Sequence, residues 1–247
     1  SNFYGLGNNT PDTSSEFEAQ GFESLLTIQR RFGEHIFIGP YYRLFWEDVT
    51  FQNSTARNAL IGATGQRASG IGIWAAYDTR DNPNAPRTGT FLRYAGRIFR
   101  AYLGSELDYS LQTYEARQYI PVGANSVVAF SSYLRITDGS TPFRDLSTPD
   151  GIYTFRGIKK GRYRDRHLLT LQSEYRFPIH KKIGLALFAE AAQVVSKLGD
   201  LSANEFKSSF GGGFRYALNQ EQRFNLRVDT NWVDGAFGLT INVKEAF

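Results

Sequence analysis

The C-terminal end of the sequence alternates between apolar residues and polar or small ones. One face of the segment 236–247 carries Phe237, Leu239, Ile241, Val243 and Phe247, and the other carries Gly238, Thr240, Asn242, Lys244 and Ala246. A period of two is that of a β-strand, whereas the apolar positions of an α-helix recur every three or four residues. Because the same period recurs along most of the chain, the sequence predicts an all-β fold.

Turn residues divide the chain into about eleven predicted strands. They are 15–31, 35–51, 66–80, 90–103, 107–120, 125–137, 167–178, 183–195, 205–218, 222–232 and 236–247. Each spans more than ten residues, which suits a tilted strand that crosses a bilayer and exceeds the five or six usual in soluble sheets. Short and long connections alternate, as in outer-membrane barrels. We therefore expect an antiparallel transmembrane β-barrel, with a soluble β-sandwich as the alternative.

The composition is compatible with a barrel and excludes several other classes. Charged residues make up 21% of the 247 residues, and no run of apolar residues is long enough for a transmembrane helix. A β-barrel gives a hydropathy profile like that of a soluble protein, because lipid-facing and lumen-facing residues alternate and their hydropathies average out. The absence of cysteine excludes disulfides and thiolate metal sites. A net charge of +4 from scattered basic residues argues against nucleic-acid binding.

The longest stretch without strand periodicity is a loop over residues 138–166. A compact domain rarely keeps so long a loop unless the loop is functional or disordered. Its centre contains Ile152, Tyr153, Phe155 and Ile158, which provide apolar material for packing, followed by a strongly basic run to Arg166. We therefore expect this loop to fold into a wet, partly acidic place such as the lumen of a barrel.

Two motifs connect the chain with a known family. Phe155, Arg156, Gly157 and Ile158 resemble the (V/I/F)-R-G-(F/Y/I) motif in the sixth outer loop of the Omp85 superfamily, which includes BamA, TamA and the D15 surface antigens. The stretch 77–89 resembles the D-x-R-D-N-x-x-x-P-x-x-G periplasmic turn of that family, with Asp78, Arg80, Asp81, Asn82, Pro86 and Gly89 at its fixed positions.

The two ends of the chain extend the resemblance over essentially its whole length. Phe247, preceded by alternating apolar residues, is similar to the C-terminal signal by which outer-membrane barrels are recognised for assembly. The stretch 2–10 resembles the F-Y-G-x-G-N segment of Bacteroidetes-type members. The resemblance concerns the barrel part of the family, and no periplasmic POTRA repeats precede it in this sequence.

The resemblance implies a contact between the loop and the barrel wall. In the family the loop arginine meets an acidic residue in an (F/G)-x-D-x-G pattern two strands downstream, which corresponds to Phe188 and Glu190, with Glu in place of Asp. Strand alternation independently points both residues inward. Gly213 and Phe214 resemble the G-F element on the next strand, so we expect them to be further lumen partners of the loop. The alternative is that Arg156 is simply solvated.

The resemblance also implies a role in insertion of outer-membrane proteins or in polypeptide translocation. The expected partners are outer-membrane lipid, client outer-membrane proteins and accessory lipoproteins. Full barrels of the family have sixteen strands, so residues 1–247 are expected to form a barrel domain whose first strands lie in a separate segment or chain. A twelve-stranded barrel is the alternative. Two other functions stay open, namely a membrane anchor or pore for an N-terminal enzyme domain and a simple diffusion porin.

No other chemistry is predicted. His35, His167 and His180 lack the spacing of metal ligands, so neither a metal nor a cofactor is expected. No G-x-S-x-G motif or phosphate-binding loop is found, and we predict no enzyme. The acidic residues Glu47, Asp48 and Asp145 lie in or near loops and are expected to be solvated.

Overall fold

The computed structural model describes residues 1–53, 57–58, 60–123, 125–149 and 154–247. Within these residues, thirteen antiparallel strands form one sheet: β1 (Asn2–Phe3), β2 (Ser15–Thr27), β3 (Arg30–Phe32), β4 (Ile36–Phe51), β5 (Gly65–Asp78), β6 (Gly89–Phe99), β7 (Tyr109–Val122), β8 (Ser126–Gly139), β9 (His167–His180), β10 (Ile183–Val195), β11 (Lys207–Asn219), β12 (Phe224–Val233) and β13 (Ala236–Val243). No described helix is long and apolar enough to span a membrane.

Neighbouring strands of the sheet follow the order of the chain. The exception is β3, which pairs with β4 beside β2, so that β2 and β3 act as one strand interrupted at Ile28. The short strand β1 adds to the other edge of β2. The predicted all-β antiparallel fold is therefore confirmed, and the eleven predicted strands correspond to β2 with β3 and to β4–β13. In the described part of the chain, β13 pairs with β12 and the sheet stays open.

The sheet exposes apolar side chains on one face and buries charged side chains on the other, which is the reverse of a soluble protein. Leu187 is 58% exposed, whereas Glu190 on the opposite face of the same strand is 3% exposed. Along the strands the exposed large side chains are apolar, and many charged residues are buried on the opposite face, which we call the lumen. This arrangement suits a sheet whose outer face meets lipid.

The loop between β8 and β9 folds back into the lumen, as predicted. Ser147 and Asp165 exchange backbone hydrogen bonds of 2.7 and 3.1 Å, which closes the loop on itself. The N-terminal segment lies against it, since the N–H of Gly7 donates to the carbonyl oxygen of Arg164 at 2.8 Å. The predicted apolar contributions of Ile152 and Tyr153 lie outside the described residues.

The C-terminal end differs from the prediction. The sequence predicted a strand to Phe247, with that residue on the same face as Phe237, but β13 ends at Val243. Lys244 adopts a left-handed backbone with φ of 68°, which turns the remaining residues into the lumen. Phe247 is consequently 3% exposed and packs with Tyr119 and Val127. The prediction that Phe247 shares a face with Phe237 was wrong, because alternation holds only while the strand continues.

Candidate functional site in the lumen

Arg156 lies in the lumen with its guanidinium fully buried among three carboxylates. Its Nε donates to Glu190 at 2.5 Å, and its Nη1 donates to Glu174 at 2.7 Å and to Asp229 at 3.0 Å. These acids come from β10, β9 and β12, so one side chain connects three strands. We call this set of contacts the loop lock. Burial alone would lower the pKa of Arg156, but the three carboxylates outweigh it and raise the pKa above its ordinary value.

The main chain of Arg156 is held as firmly as its side chain. Its N–H donates to Glu190 at 2.7 Å, and its carbonyl oxygen accepts from Asn231 Nδ2 at 3.1 Å and from Ser209 Oγ at 3.3 Å. The ring of Phe188 lies beneath the guanidinium, with its centre 3.4 Å from the Arg156 Cζ. Desolvation strengthens such a cation–π contact. The loop lock therefore fixes the path of the loop backbone as well as the ion pairs of the Arg156 side chain.

The charges around the loop lock balance. Four arginines (Arg156, Arg176, Arg215 and Arg227) lie among four carboxylates (Glu174, Glu190, Asp229 and Glu245), and every one of these residues is buried. Arg215, for example, bonds Asp229 at 2.5 Å and Glu245 at 2.7 Å. Buried charges are tolerated when they are paired and hydrogen-bonded, and removing one partner is costly. Each member of this network is thus constrained by the others.

The residues beside Arg156 explain the local sequence. Phe155 is 1% exposed and packs in an apolar cluster with Tyr163, Leu168 and Val194, and Ile158 lies at the edge of that cluster. Gly157 has φ of 82°, and a Cβ there would lie 1.9 Å from Asn231 Nδ2. Glycine at 157 is therefore required both by the backbone conformation and by the close approach of β12.

The turn between β5 and β6 is held by its own acidic residues. Asp78 accepts two hydrogen bonds from the Arg80 guanidinium, at 2.9 and 2.7 Å. Asp81 accepts from the N–H groups of Arg87 and Thr88 at 2.9 and 3.2 Å. Burial acts to raise the pKa of Asp81, but the hydrogen bonds from Arg223 and from these two N–H groups lower it below its usual range.

The same turn reaches across the short-turn end of the sheet. Asn82 Oδ1 accepts from the N–H groups of Asn84 and Ala85 at 2.8 and 3.0 Å, which forms an Asx turn. Asn84 Nδ2 donates to the carbonyl oxygen of Gln222 at 3.0 Å, and the N–H of Glu245 donates to the carbonyl oxygen of Asn84 at 3.1 Å. The turn thereby contacts both the β11–β12 turn and the C-terminal residues.

Two further residues of this turn have a steric explanation. Pro86 is buried and faces a small cavity at the same end of the lumen. Gly89 has φ of 106°, and a Cβ there would lie 2.4 Å from the carbonyl oxygen of Thr79. A side chain at residue 89 would therefore push β6 away from the preceding chain.

The model of the Omp85 superfamily domain matches residues 3–229 of the sequence. The chain belongs to the Omp85 superfamily. Its fold is similar to a solved structure described as BamA from Haemophilus ducreyi lacking POTRA domains 1-3, with a TM-score of 0.68 and 12% identity over 98% of this chain. The chain spans 56% of that structure's length. No curated protein matches the sequence in a direct comparison.

Three of the residues that the Omp85 resemblance places beside the loop can be compared with their observed positions. Phe188 and Glu190 lie next to Arg156, whereas Phe214 does not. Phe214 is 41% exposed on the outer face, because its neighbour Gly213 faces the lumen and successive residues of a strand point to opposite faces. Its expected place in the lumen was wrong. A Cβ on Gly213 would lie 2.0 Å from Asp229 Oδ1, so this glycine makes room for the ion network rather than for the loop backbone.

Sequence reasoning missed two of the three acids of the Omp85 loop lock, Glu174 and Asp229. Their inward position was readable, since both alternate with apolar residues of the lipid face. The expected solvation of Glu47 and Asp145 was also wrong: Glu47 pairs with Arg144 at 2.8 Å, and Asp145 is 6% exposed. Alternation carries no information on a loop acid such as Asp145.

Proposed function

We propose that this chain forms the membrane-embedded barrel of a protein that inserts or translocates polypeptides at the bacterial outer membrane. The observation that carries the proposal is a firmly locked lumen beside β13, one edge of which pairs with no strand in the described part of the chain. Among the described residues, β13 is aligned with β12 over eight residue pairs and offers its other edge to a new strand. An unpaired edge is a template for strand addition.

The outer face of β13 supports a lipid-embedded edge. Phe237, Leu239 and Ile241 are 68%, 63% and 64% exposed, which suits contact with acyl chains. An incoming strand of a client protein would hydrogen-bond to β13 while its own apolar face meets lipid. The same geometry would allow a weakly paired seam between β13 and the first strand of a closed barrel to open.

The loop lock has a mechanical role in this proposal. Arg156 ties the loop to β9, β10 and β12, so it stiffens the wall that leads to β13. A seam opens when deformation of the barrel is concentrated at the weakest strand pairing, here that of β13 with the first strand. If the neighbouring strands β9–β12 are held rigid, the deformation cannot spread into them. Breaking the loop lock should therefore impair insertion without removing the edge itself.

Two other functions make different demands on the structure. A diffusion porin needs an open lumen, whereas Phe155 and Arg156 of the loop are buried inside it. A membrane anchor for an enzyme domain requires such a domain upstream of Ser1. The expected partners of the proposed function are outer-membrane lipid, client barrels and accessory lipoproteins, with any upstream strands supplied by a separate segment.

The proposal is tested with the full-length protein in liposomes that receive an unfolded reporter barrel. We expect Arg156→Gln to reduce the rate of reporter insertion at least about tenfold, the effect of losing about 1.4 kcal/mol. Arg166→Gln is the matched control, because Arg166 lies in the same loop and is exposed. Parent-like insertion by a folded Arg156→Gln protein would refute the role of the loop lock. Absence of insertion by the parent itself would refute the assembly function.

A further inference from the structure

The loop makes a second set of polar contacts, with strands other than those of the loop lock. The carboxylate of Asp145 accepts two hydrogen bonds from Arg43 Nη1, at 2.9 and 2.8 Å, and one from the Tyr109 hydroxyl at 2.7 Å. Its backbone carbonyl oxygen accepts from Arg135 Nη2 at 2.8 Å. Since Asp145 is 6% exposed, these are charge-assisted contacts in a largely desolvated place.

An aromatic residue accompanies Asp145, as Phe155 accompanies Arg156. Phe143 is 1% exposed, and its ring centre lies 5.3 Å from those of Phe17 and Phe51 and 6.1 Å from that of Phe3. Its N–H donates to the carbonyl oxygen of Ile61 at 2.9 Å. The segment 141–147 is thus packed and hydrogen-bonded against the first half of the sheet.

The two attached segments differ in the strands that they contact and in the sign of their charge. Asp145 is acidic and meets Arg43 on β4 and Tyr109 on β7. Arg156 is basic and meets acids on β9, β10 and β12. Exchanging the two segments would place like charges together, so the loop has one favourable orientation across the lumen.

We propose that Asp145 is a second positioning residue of the loop, and that the loop is a tie between the two walls of the lumen. The first wall comprises β4–β8 and the second comprises β9–β12. This inference deepens the role proposed for the loop lock, because a tie at both ends transmits stiffness from one wall to the other. It also implies that the loop opens in two steps, each governed by one charged residue.

Hydrogen exchange of the full-length protein, followed by mass spectrometry, tests the inference without an insertion assay. In Asp145→Asn we expect the amides of Phe143, Asp145 and Ser147 to exchange about ten- to a hundredfold faster, the effect of weakening a hydrogen bond to a charged group. The amides of Phe155 to Ile158 should keep the parent rate. Arg156→Gln should reverse this pattern.

Two further variants make the test decisive. Tyr109→Phe removes one hydroxyl from the cluster, and we expect a several-fold increase in exchange in the same segment if Asp145→Asn fails to fold. Asp200→Asn is the control, because it makes the same chemical change at an exposed position. Equal acceleration of both loop segments in Asp145→Asn or Tyr109→Phe would overturn the two-step tie. Parent-like exchange in both variants would overturn the role of Asp145, whatever the outcome of the insertion assay.

Discussion

Glu190 accepts two hydrogen bonds from Arg156, one from the backbone N–H at 2.7 Å and one from Nε at 2.5 Å. A single carboxylate therefore fixes both the main chain and the side chain of the loop residue. The Glu side chain is long enough to reach both donors. The Omp85 pattern has Asp at this position, which is shorter by one methylene group.

We predict that Glu190→Asp loses one of the two contacts and lowers the free energy of unfolding by about 1.5–3 kcal/mol. Glu190→Gln removes the charge and should approach the lower end of the about 3–5 kcal/mol typical of a broken buried pair, because Glu174 and Asp229 still face Arg156. Denaturant unfolding followed by tryptophan fluorescence measures both values. Glu221→Gln, at an exposed turn position, is the control and should match the parent.

Gly157→Ala should break the loop lock through sterics alone. The left-handed backbone costs about 1–2 kcal/mol for a residue with a Cβ, and the clash with Asn231 adds about 1–3 kcal/mol. Gly235→Ala separates the two effects, since Gly235 also has a positive φ, of 75°, but no atom lies within 4 Å of the position that a Cβ would take there. Equal destabilisation of the two variants, measured by the same unfolding assay, would contradict a steric role for Gly157.

Acid should weaken the short-turn end of the barrel. Burial acts to raise the pKa of Glu245, but Arg176 and Arg215 outweigh it and hold the pKa below the ordinary value. The pKa of Asp81 is lowered as well, chiefly by Arg223 against the effect of burial. Because both folded-state pKa values lie below those of the unfolded chain, their stabilisation is present at neutral pH.

This stabilisation is lost as the pH falls below the unfolded-state values, which are about 4 for these groups. We expect the unfolding free energy to decrease between about pH 5 and pH 2. The decrease should be smaller in Arg223→Gln, which removes the partner of Asp81. An identical pH dependence in parent and variant would show that Asp81 does not contribute.

Asn82→Ala should loosen the contact between the β5–β6 turn and the C-terminal residues. It removes the acceptor of two backbone N–H groups, and each unpaired group costs about 1–3 kcal/mol if it stays buried. Hydrogen exchange at Glu245 should accelerate, since its N–H donates to Asn84. Gln222→Ala is the control, because the turn binds the backbone oxygen of residue 222. Faster exchange in that control would indicate a different cause.

The eleven longer strands, their direction and the faces of most of their residues followed from the sequence. The period of two is a local property, so it placed Phe188 and Glu190 in the lumen and Leu187 in lipid without knowledge of the neighbours. Phe214 was assigned to the lumen from a motif although alternation from Gly213 points it outward, and the local rule was the better guide.

What the sequence determined by itself was the set of strands, their two faces and the motif that contains Arg156, because each depends on residues close together in the chain. The tertiary structure alone decided that Asp145 meets Arg43, 102 positions away, and that Phe247 turns into the lumen. These contacts depend on the path of a loop across the lumen and on one left-handed residue, Lys244. Burial of charge then selects the partners, because an unpaired ion in the lumen would cost more than the loop gains by packing.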